Sequence, residues 1–291
     1  MRHVVIVGAS LAGYRGAQTL RREGFDGTIT LIGDEARRPY DRPPLSKQVL
    51  AGDADPDSVG LERDGNELDL DWRLGVSATG FDAASLTLTL GDGEQLSADG
   101  VILACGARPR SLPGTDGIDG VHLLRTLDDS LALRETFESA PRRVVVIGAG
   151  FIGAEVAATA RSLGLDVTII EALDLPLARA LPPEIGKLSA AVHRDHGVDL
   201  RLGVGVDGLD AGDDGRVRVV RLADGSEIEA DVVVVGIGVV PNTEWLEGSG
   251  LTIDNGVVCD ETTLAAPGVV AAGDVARWPN PLFDEVMRVE H

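Results

Sequence analysis

The sequence predicts an α/β fold built on two Rossmann-like dinucleotide-binding frames. The first observation behind this is a repeated pattern of apolar run, glycine turn and helical stretch. Residues 4–7 lead into Gly8-Ala9-Ser10-Leu11-Ala12-Gly13, and residues 144–147 lead into Gly148-Ala149-Gly150-Phe151-Ile152-Gly153. The second is that each frame runs on to a further apolar strand that ends beside an acid: residues 29–32 are followed by Asp34, and residues 167–170 by Glu171. The third is that strand and helix patterns alternate along 291 residues, a length that supports two domains with cores of their own.

The second frame is the more complete. Gly148 permits the tight turn, Gly150 lets the backbone approach a pyrophosphate, and Gly153 lets helix and strand pack closely. The helix expected from about residue 154 to 163 would present free N–H groups and a partial positive charge to phosphates. Glu171 follows Gly153 by 18 residues, where a carboxylate accepts hydrogen bonds from ribose hydroxyls and repels a 2′-phosphate. Asp174 is close behind and no arginine comes before Arg179, so this site favours NAD over NADP. In the first frame Ser10 stands at the middle-glycine position, the helix runs to about Arg22, and Asp34 lies 21 residues after Gly13. A glycine-rich turn of some other α/β fold is the plain reading of either copy alone. Two copies, each with its acid in place, point to two dinucleotides, and hydride passage between FAD and NAD(P)H is the economical chemistry.

Bulk properties narrow the partners. With 44% apolar and 25% charged residues the composition is globular, and a net charge of −21 argues against nucleic acid or an anionic membrane surface. The longest apolar run, residues 232–240, is far short of a membrane span, and an apolar strand that begins at Val4 leaves no room for a leader, so a cytoplasmic setting is expected. Only Lys47 and Lys187 among 26 basic residues are lysine. Cys105 and Cys259 form no C-x-x-C or C-x-x-x-x-C pair.

Between the frames, residues 39–47 read P-Y-D-R-P-P-L-S-K. The prolines hold the chain extended, and Pro44 can start a short helix that carries Lys47 and ends near Gly52. This is either a rigid surface loop or a device that sets Arg42 near flavin phosphates and Lys47 near the flavin ring. Residues 53–71 read as a solvated linker and helix, and residues 86–90 and 94–96 as a hairpin around Gly91-Asp92-Gly93. Residues 101–103 read as a strand, with Cys105 after it as a small buried residue. Residues 108–120 read as the crossing into the next domain, and Thr126 as the cap of a helix.

Residues 182–196 read as a helix. His193 and His196 lie one turn apart on it, and with no third metal ligand evident both are read as surface residues. Residues 200–202, 206–209, 217–222 and 227–229 read as short strands, the last three forming an antiparallel meander, before a strand at 232–235. The strand at 269–271 ends at Gly273-Asp274, where the aspartate could bind a ribityl hydroxyl or cap the next turn.

Taken together, V-I-V-G-A-S-L-A-G, Y-D-R-P-P-L-S-K, A-C-G-A-R-P-R, L-R-T-L-D-D, I-G-A-G-F-I-G-A-E-V-A, G-I-G-V-V-P-N and A-A-G-D-V-A resemble the FAD-dependent, NADH-specific ferredoxin reductases of oxygenase systems, from residue 4 to the end. The resemblance implies a glutathione-reductase-type architecture. An FAD domain (residues 1–110 and 239–291) would be split by an inserted NAD domain (residues 111–238). It places FAD on Gly8, Ser10, Ala12, Gly13, Asp34, Arg42, Lys47, Ala78, Arg125, Gly273 and Asp274. It places NADH on Gly148, Gly150, Phe151, Ile152, Gly153, Glu155, Glu171 and Gly238, with Lys47 and Glu155 paired as the catalytic residues. It implies electron delivery to an iron–sulfur ferredoxin, of the 2Fe-2S kind, that serves a P450 or a dioxygenase.

The sequence departs from that family at Ser10, at Cys105 where many members have threonine, and at Met287-Arg288-Val289-Glu290-His291, where members continue into a third, C-terminal domain. Two other readings share the scaffold. A disulfide, coenzyme A-disulfide or peroxide reductase would need a redox cysteine that residues 42–47 do not offer. A flavin-dependent NADH-binding sensor of low turnover, of the apoptosis-inducing-factor kind, would show slow NADH oxidation with every acceptor.

Overall fold

The computed structural model describes residues 1–62 and 68–289. Part of the linker expected at 53–71, residues 63–67, lies outside the described residues. The chain forms two compact units. One comprises Met1–Asp41, Gly60–Arg108 and Val240–His291, the other Arg42–Val59 and Pro109–Val239. The segment Arg42–Val59, expected within one continuous stretch 1–110, therefore groups with the second unit.

The first unit is organised by a six-stranded sheet in the order Leu264–Ala266, Val269–Ala271, Gly100–Leu103, His3–Val7, Thr28–Gly33, Asp71–Leu74. All neighbours are parallel except the Leu264–Ala266 edge, which closes a hairpin. Alternate residues of its strands serve opposite faces. Val4, Ile6, Ile29 and Leu31 pack with Ala17 of helix Leu11–Arg22. Val5, Val7, Val101, Leu103, Val269 and Ala271 pack with Leu88 and Leu90. Burial on both faces is why these strands read as unbroken apolar runs. The expected hairpin gains a third strand, Ala78–Asp82, antiparallel to Thr87–Leu90, which pairs in turn with Gln95–Ser97. Its sequence A-T-G-F-D holds one buried side chain, Phe81, too weak an alternation to announce a strand.

The second unit repeats the plan. Its sheet runs Asp199–Leu202, Asp166–Glu171, Arg143–Ile147, Val232–Val235, Val121–His122, all parallel. Helices Leu127–Glu138 and Phe151–Ser162 cover one face through Leu133, Phe137, Val156 and Ala160. The meander Val206–Ala211, Val217–Leu222, Glu227–Glu229 contributes Val217, Val220 and Leu222 to the other. The two frames share one register: Val7 pairs Ile32 as Ile147 pairs Ile170. Thr126 caps its helix in a reciprocal box with Asp129.

Helix Pro183–Asp195 turns Gly186, Ala190 and His193 inward, so His193 is buried and only His196 is exposed. This corrects the surface reading of His193. The residue sits at helical spacing from Gly186 and Ala190 and shares their buried stripe. Burial holds its imidazole below the ordinary histidine range.

Candidate dinucleotide sites

In the second unit the strand Arg143–Ile147 delivers the chain into Gly148 at φ +102°, where a side chain on L-geometry would be strained. A Cβ there would also sit 2.3 Å from the Gly236 carbonyl oxygen. Gly150 caps the helix in extended conformation, φ −74° and ψ −175°. The helix begins at Phe151, three residues before the sequence pattern announced it, because Gly153 lies inside its first turn. A Cβ on Gly153 would lie 2.0 Å from the Gly148 carbonyl oxygen. A Cβ on Gly150 would meet nothing within 4 Å. Close packing at Gly148 and Gly153 with open space at Gly150 makes a cradle at a helix N-terminus, the form a pyrophosphate needs. Phe151 and Ile152 stand exposed beside it. Gly238, at φ +99°, also faces open space and accepts the Arg110 backbone N–H at 2.9 Å.

Glu171, at the end of its strand, accepts the Ala149 N–H of the glycine loop through Oε2 at 2.7 Å and the Leu173 N–H through Oε1 at 3.0 Å. These bonds fix the carboxylate beside the glycine loop.

The P-P-L-S-K segment is built differently from the expected single helix. Pro43–Ser46 forms one turn of 3-10 helix, Gln48–Ala51 one turn of α-helix, and the backbone breaks between them at Lys47, φ −125° and ψ −106°. Gly52 ends the segment in left-handed conformation. Arg42 Nη1 donates to the Arg125 carbonyl at 2.5 Å. Ser130 Oγ donates to the Leu45 carbonyl at 2.7 Å, and Thr159 Oγ1 to the Ser46 carbonyl at 2.8 Å. Leu50 joins the core with Leu124 and Leu133. These contacts explain why the segment groups with the second unit.

Lys47 Nζ lies 2.7 Å from Glu155 Oε2, with each side chain about a third exposed at 36% and 33%. Glu155 stands one turn into the helix that Gly150 caps. The sequence marked Lys47, Glu155, Arg42 and Arg125. It gave no part to Ser46, Ser130 or Thr159, whose signal is faint because small hydroxyl residues occur everywhere.

In the first unit the same loop recurs. Gly8 has φ +119° and abuts the Ala104 carbonyl, and a Cβ on Gly13 would lie 1.9 Å from the Gly8 carbonyl oxygen. Ser10 caps helix Leu11–Arg22 in extended conformation, φ −116° and ψ −162°, matching Gly150. The acid differs. Gly33 occupies the register position of Glu171, and a Cβ on Gly33 would lie 2.6 Å from the Ala9 methyl. The carboxylate stands one residue on, at Asp34, which is exposed and accepts the Glu35 N–H at 3.0 Å. Gly273 adjoins the loop as well: a Cβ on it would lie 2.9 Å from the Ala12 methyl, and Asp274 follows it in the turn Gly273–Val275. Ala78 packs partly buried against the core of this unit. Arg42, Lys47 and Arg125 belong to the second unit.

Neither cysteine is poised for redox chemistry. Desolvation pushes the Cys105 thiol up to about 12, and its Sγ donates to the Asn242 carbonyl at 3.1 Å. Burial raises Cys259 as well. Among the described residues no histidine, cysteine and acid cluster could hold a metal, and no helix is long and apolar enough to cross a membrane.

Residues 2–289 match the pyridine nucleotide-disulphide oxidoreductase family, and the chain belongs to it. It is similar to rhodocoxin reductase of Rhodococcus erythropolis, 45% identical over 294 residues that cover 99% of this chain and 68% of the relative. The ferredoxin reductase component of chlorobenzene dioxygenase from Cupriavidus sp. strain PS12 is 43% identical over 281 residues, 95% of this chain and 68% of the relative. Among solved structures, the covalent putidaredoxin reductase–putidaredoxin complex aligns with a TM-score of 0.95 at 37% identity, covering 99% of this chain and 71% of that one. The chain thus spans about two thirds of the length of these relatives.

Proposed function

We propose that this protein is an NADH-dependent flavoprotein reductase that supplies electrons to an iron–sulfur ferredoxin of a P450 or dioxygenase system. The observation that carries the reading is the duplicated glycine loop, packed alike in both units, in a chain whose two thiols are both held protonated. Relatives named as reductases of rhodocoxin and of dioxygenase ferredoxins support the choice of acceptor. We place it in the cytoplasm, where NADH is regenerated.

The residues fit the two dinucleotides. Gly8, Ser10, Ala12 and Gly13 would hold the FAD pyrophosphate, Asp34 its ribose, and Gly273 and Asp274 the ribityl chain, with Ala78, Arg42, Lys47 and Arg125 completing the set. Gly148, Gly150, Phe151, Ile152 and Gly153 would hold the NADH pyrophosphate, Glu171 the adenosine ribose, and Gly238 and Glu155 the nicotinamide end. FAD held by these residues would supply a two-electron hydride acceptor that can release electrons one at a time, as an iron–sulfur acceptor requires. The chain's own part is positioning and charge. Lys47 offers a fixed positive charge, and Glu155, 2.7 Å away, holds it in place. Glu171 sets the nucleotide's ribose against the loop and rejects a 2′-phosphate.

The test is NADH-driven reduction of putidaredoxin by the FAD-loaded chain, followed by loss of ferredoxin colour. Steady turnover supports the proposal. Bleaching of the flavin with no turnover on any ferredoxin would replace it with the low-turnover NADH-binding reading.

A further inference from the structure

The P-P-L-S-K stretch contains one polar side chain to which the proposed reaction gives no part. Ser46 is 2% exposed, so water does not compete for its hydroxyl. Its Oγ donates to Glu155 Oε2 at 2.5 Å, the same oxygen that Lys47 Nζ approaches at 2.7 Å. The Ser46 carbonyl in turn accepts from Thr159 Oγ1 at 2.8 Å. Glu155 and Thr159 are four residues apart on helix Phe151–Ser162, so they share one face of it. The hydroxyl and the carboxylate it binds are thus held by a single rigid element.

A carboxylate oxygen offers two lone-pair sites, and here Ser46 and Lys47 fill both on Oε2. Two charge-assisted bonds to one oxygen fix the rotation of the carboxylate plane, which a bond to a flexible lysine alone does not. Oε1 carries neither bond. We propose that Ser46 is a positioning residue: it locks the Glu155 carboxylate so that Oε2 serves Lys47 and Oε1 stays oriented for the nicotinamide carboxamide. This rests on the assignment of Glu155 to the nicotinamide end.

The experiment compares Ser46→Ala, Glu155→Gln and the double variant with the parent. Three quantities are read: the rate of flavin bleaching at saturating NADH, the dissociation constant of NAD+ by calorimetry, and the melting temperature. Loss of orientation predicts that Ser46→Ala bleaches about tenfold more slowly. Its NAD+ affinity should change by less than about threefold, and its melting temperature by only a few degrees. In the Glu155→Gln background the Ser46→Ala effect should shrink to less than about twofold, since the two residues act through one bond.

A parental bleaching rate in Ser46→Ala, with Glu155→Gln slow, overturns the role of Ser46 and leaves that of Glu155 standing. A parental rate in Glu155→Gln overturns the underlying assignment. Additive effects overturn the proposal, because Ser46 would then act elsewhere. Ser46→Cys keeps a buried atom of similar size with a weak donor and should behave as Ser46→Ala. If neither variant folds, Ser46 is structural and the proposal fails.

Discussion

Thr159→Val tests whether the segment that carries Lys47 is latched to the second unit by side-chain hydroxyls. Valine keeps the shape of threonine and removes one donor, the Oγ1–H that reaches the Ser46 carbonyl at 2.8 Å. Thr159 is buried, so water cannot enter to replace it, and the carbonyl loses a partner at a cost of about 1–3 kcal/mol. For a unit of this size each kcal/mol lowers the melting temperature by about 2–4 °C, so a drop of several degrees is expected. Ser130→Ala removes the neighbouring latch on the Leu45 carbonyl and should cost a similar amount. The two carbonyls are adjacent in one chain, so the double variant should depart from additivity. The assay is thermal unfolding of the parent, both single variants and the double, with hydrogen exchange of residues 45–51 read alongside. Exchange there should quicken while the strand Arg143–Ile147 stays protected. A Thr159→Val protein that melts with the parent and protects the segment equally well would refute the latch.

Four further outcomes follow from the same geometry. Gly153→Ala should destabilise the second unit by more than about 2 kcal/mol in chemical unfolding, because its Cβ would fall 2.0 Å from a backbone oxygen, whereas Gly150→Ala, with nothing within 4 Å, should cost about 1 kcal/mol or less. Glu171→Ala should reduce the preference for NADH over NADPH, measured as the ratio of kcat/KM values, by about tenfold or more. Asp231 takes the Arg143 guanidinium and the Arg142 and Arg143 N–H groups, which hold its carboxyl below the usual range. Its contribution is therefore full above the unfolded carboxylate pKa and drains away as pH falls through the lowered folded value. Asp231→Asn should cost about 1–2 kcal/mol at pH 7 and progressively less as the pH is lowered below the ordinary carboxylate range, read by urea unfolding across that series. Finally, Cys105, with its thiol pushed up to about 12, should resist alkylation at pH 7, and Cys105→Ser should retain NADH oxidation.

Much of this was legible in the sequence because both frames rest on local rules. Apolar runs buried on two faces, glycines at fixed spacing and an acid one strand later are near-neighbour features, and they located both loops and Glu171. What the sequence hid is long-range. Arg42–Val59 lies in the N-terminal third of the chain, yet groups with the second unit through partners 83 to 113 residues away. No local pattern records such pairings. The break at Lys47 was hidden for the same reason, since prolines and a leucine read equally well as one helix. The one-residue offset between Asp34 and Glu171 is visible only once the two strands are aligned in the folded register. His193 was misread because metal-ligand spacing says nothing about which helical face is buried.

The central claim is that one chain binds FAD and NADH and brings them into reaction. The most direct measurement is an anaerobic absorbance titration of the purified chain, once with NADH and once with NADPH. The account predicts a yellow protein that NADH bleaches rapidly and NADPH slowly. A protein that takes up no flavin, that NADH leaves yellow, or that both nucleotides bleach equally fast would contradict it.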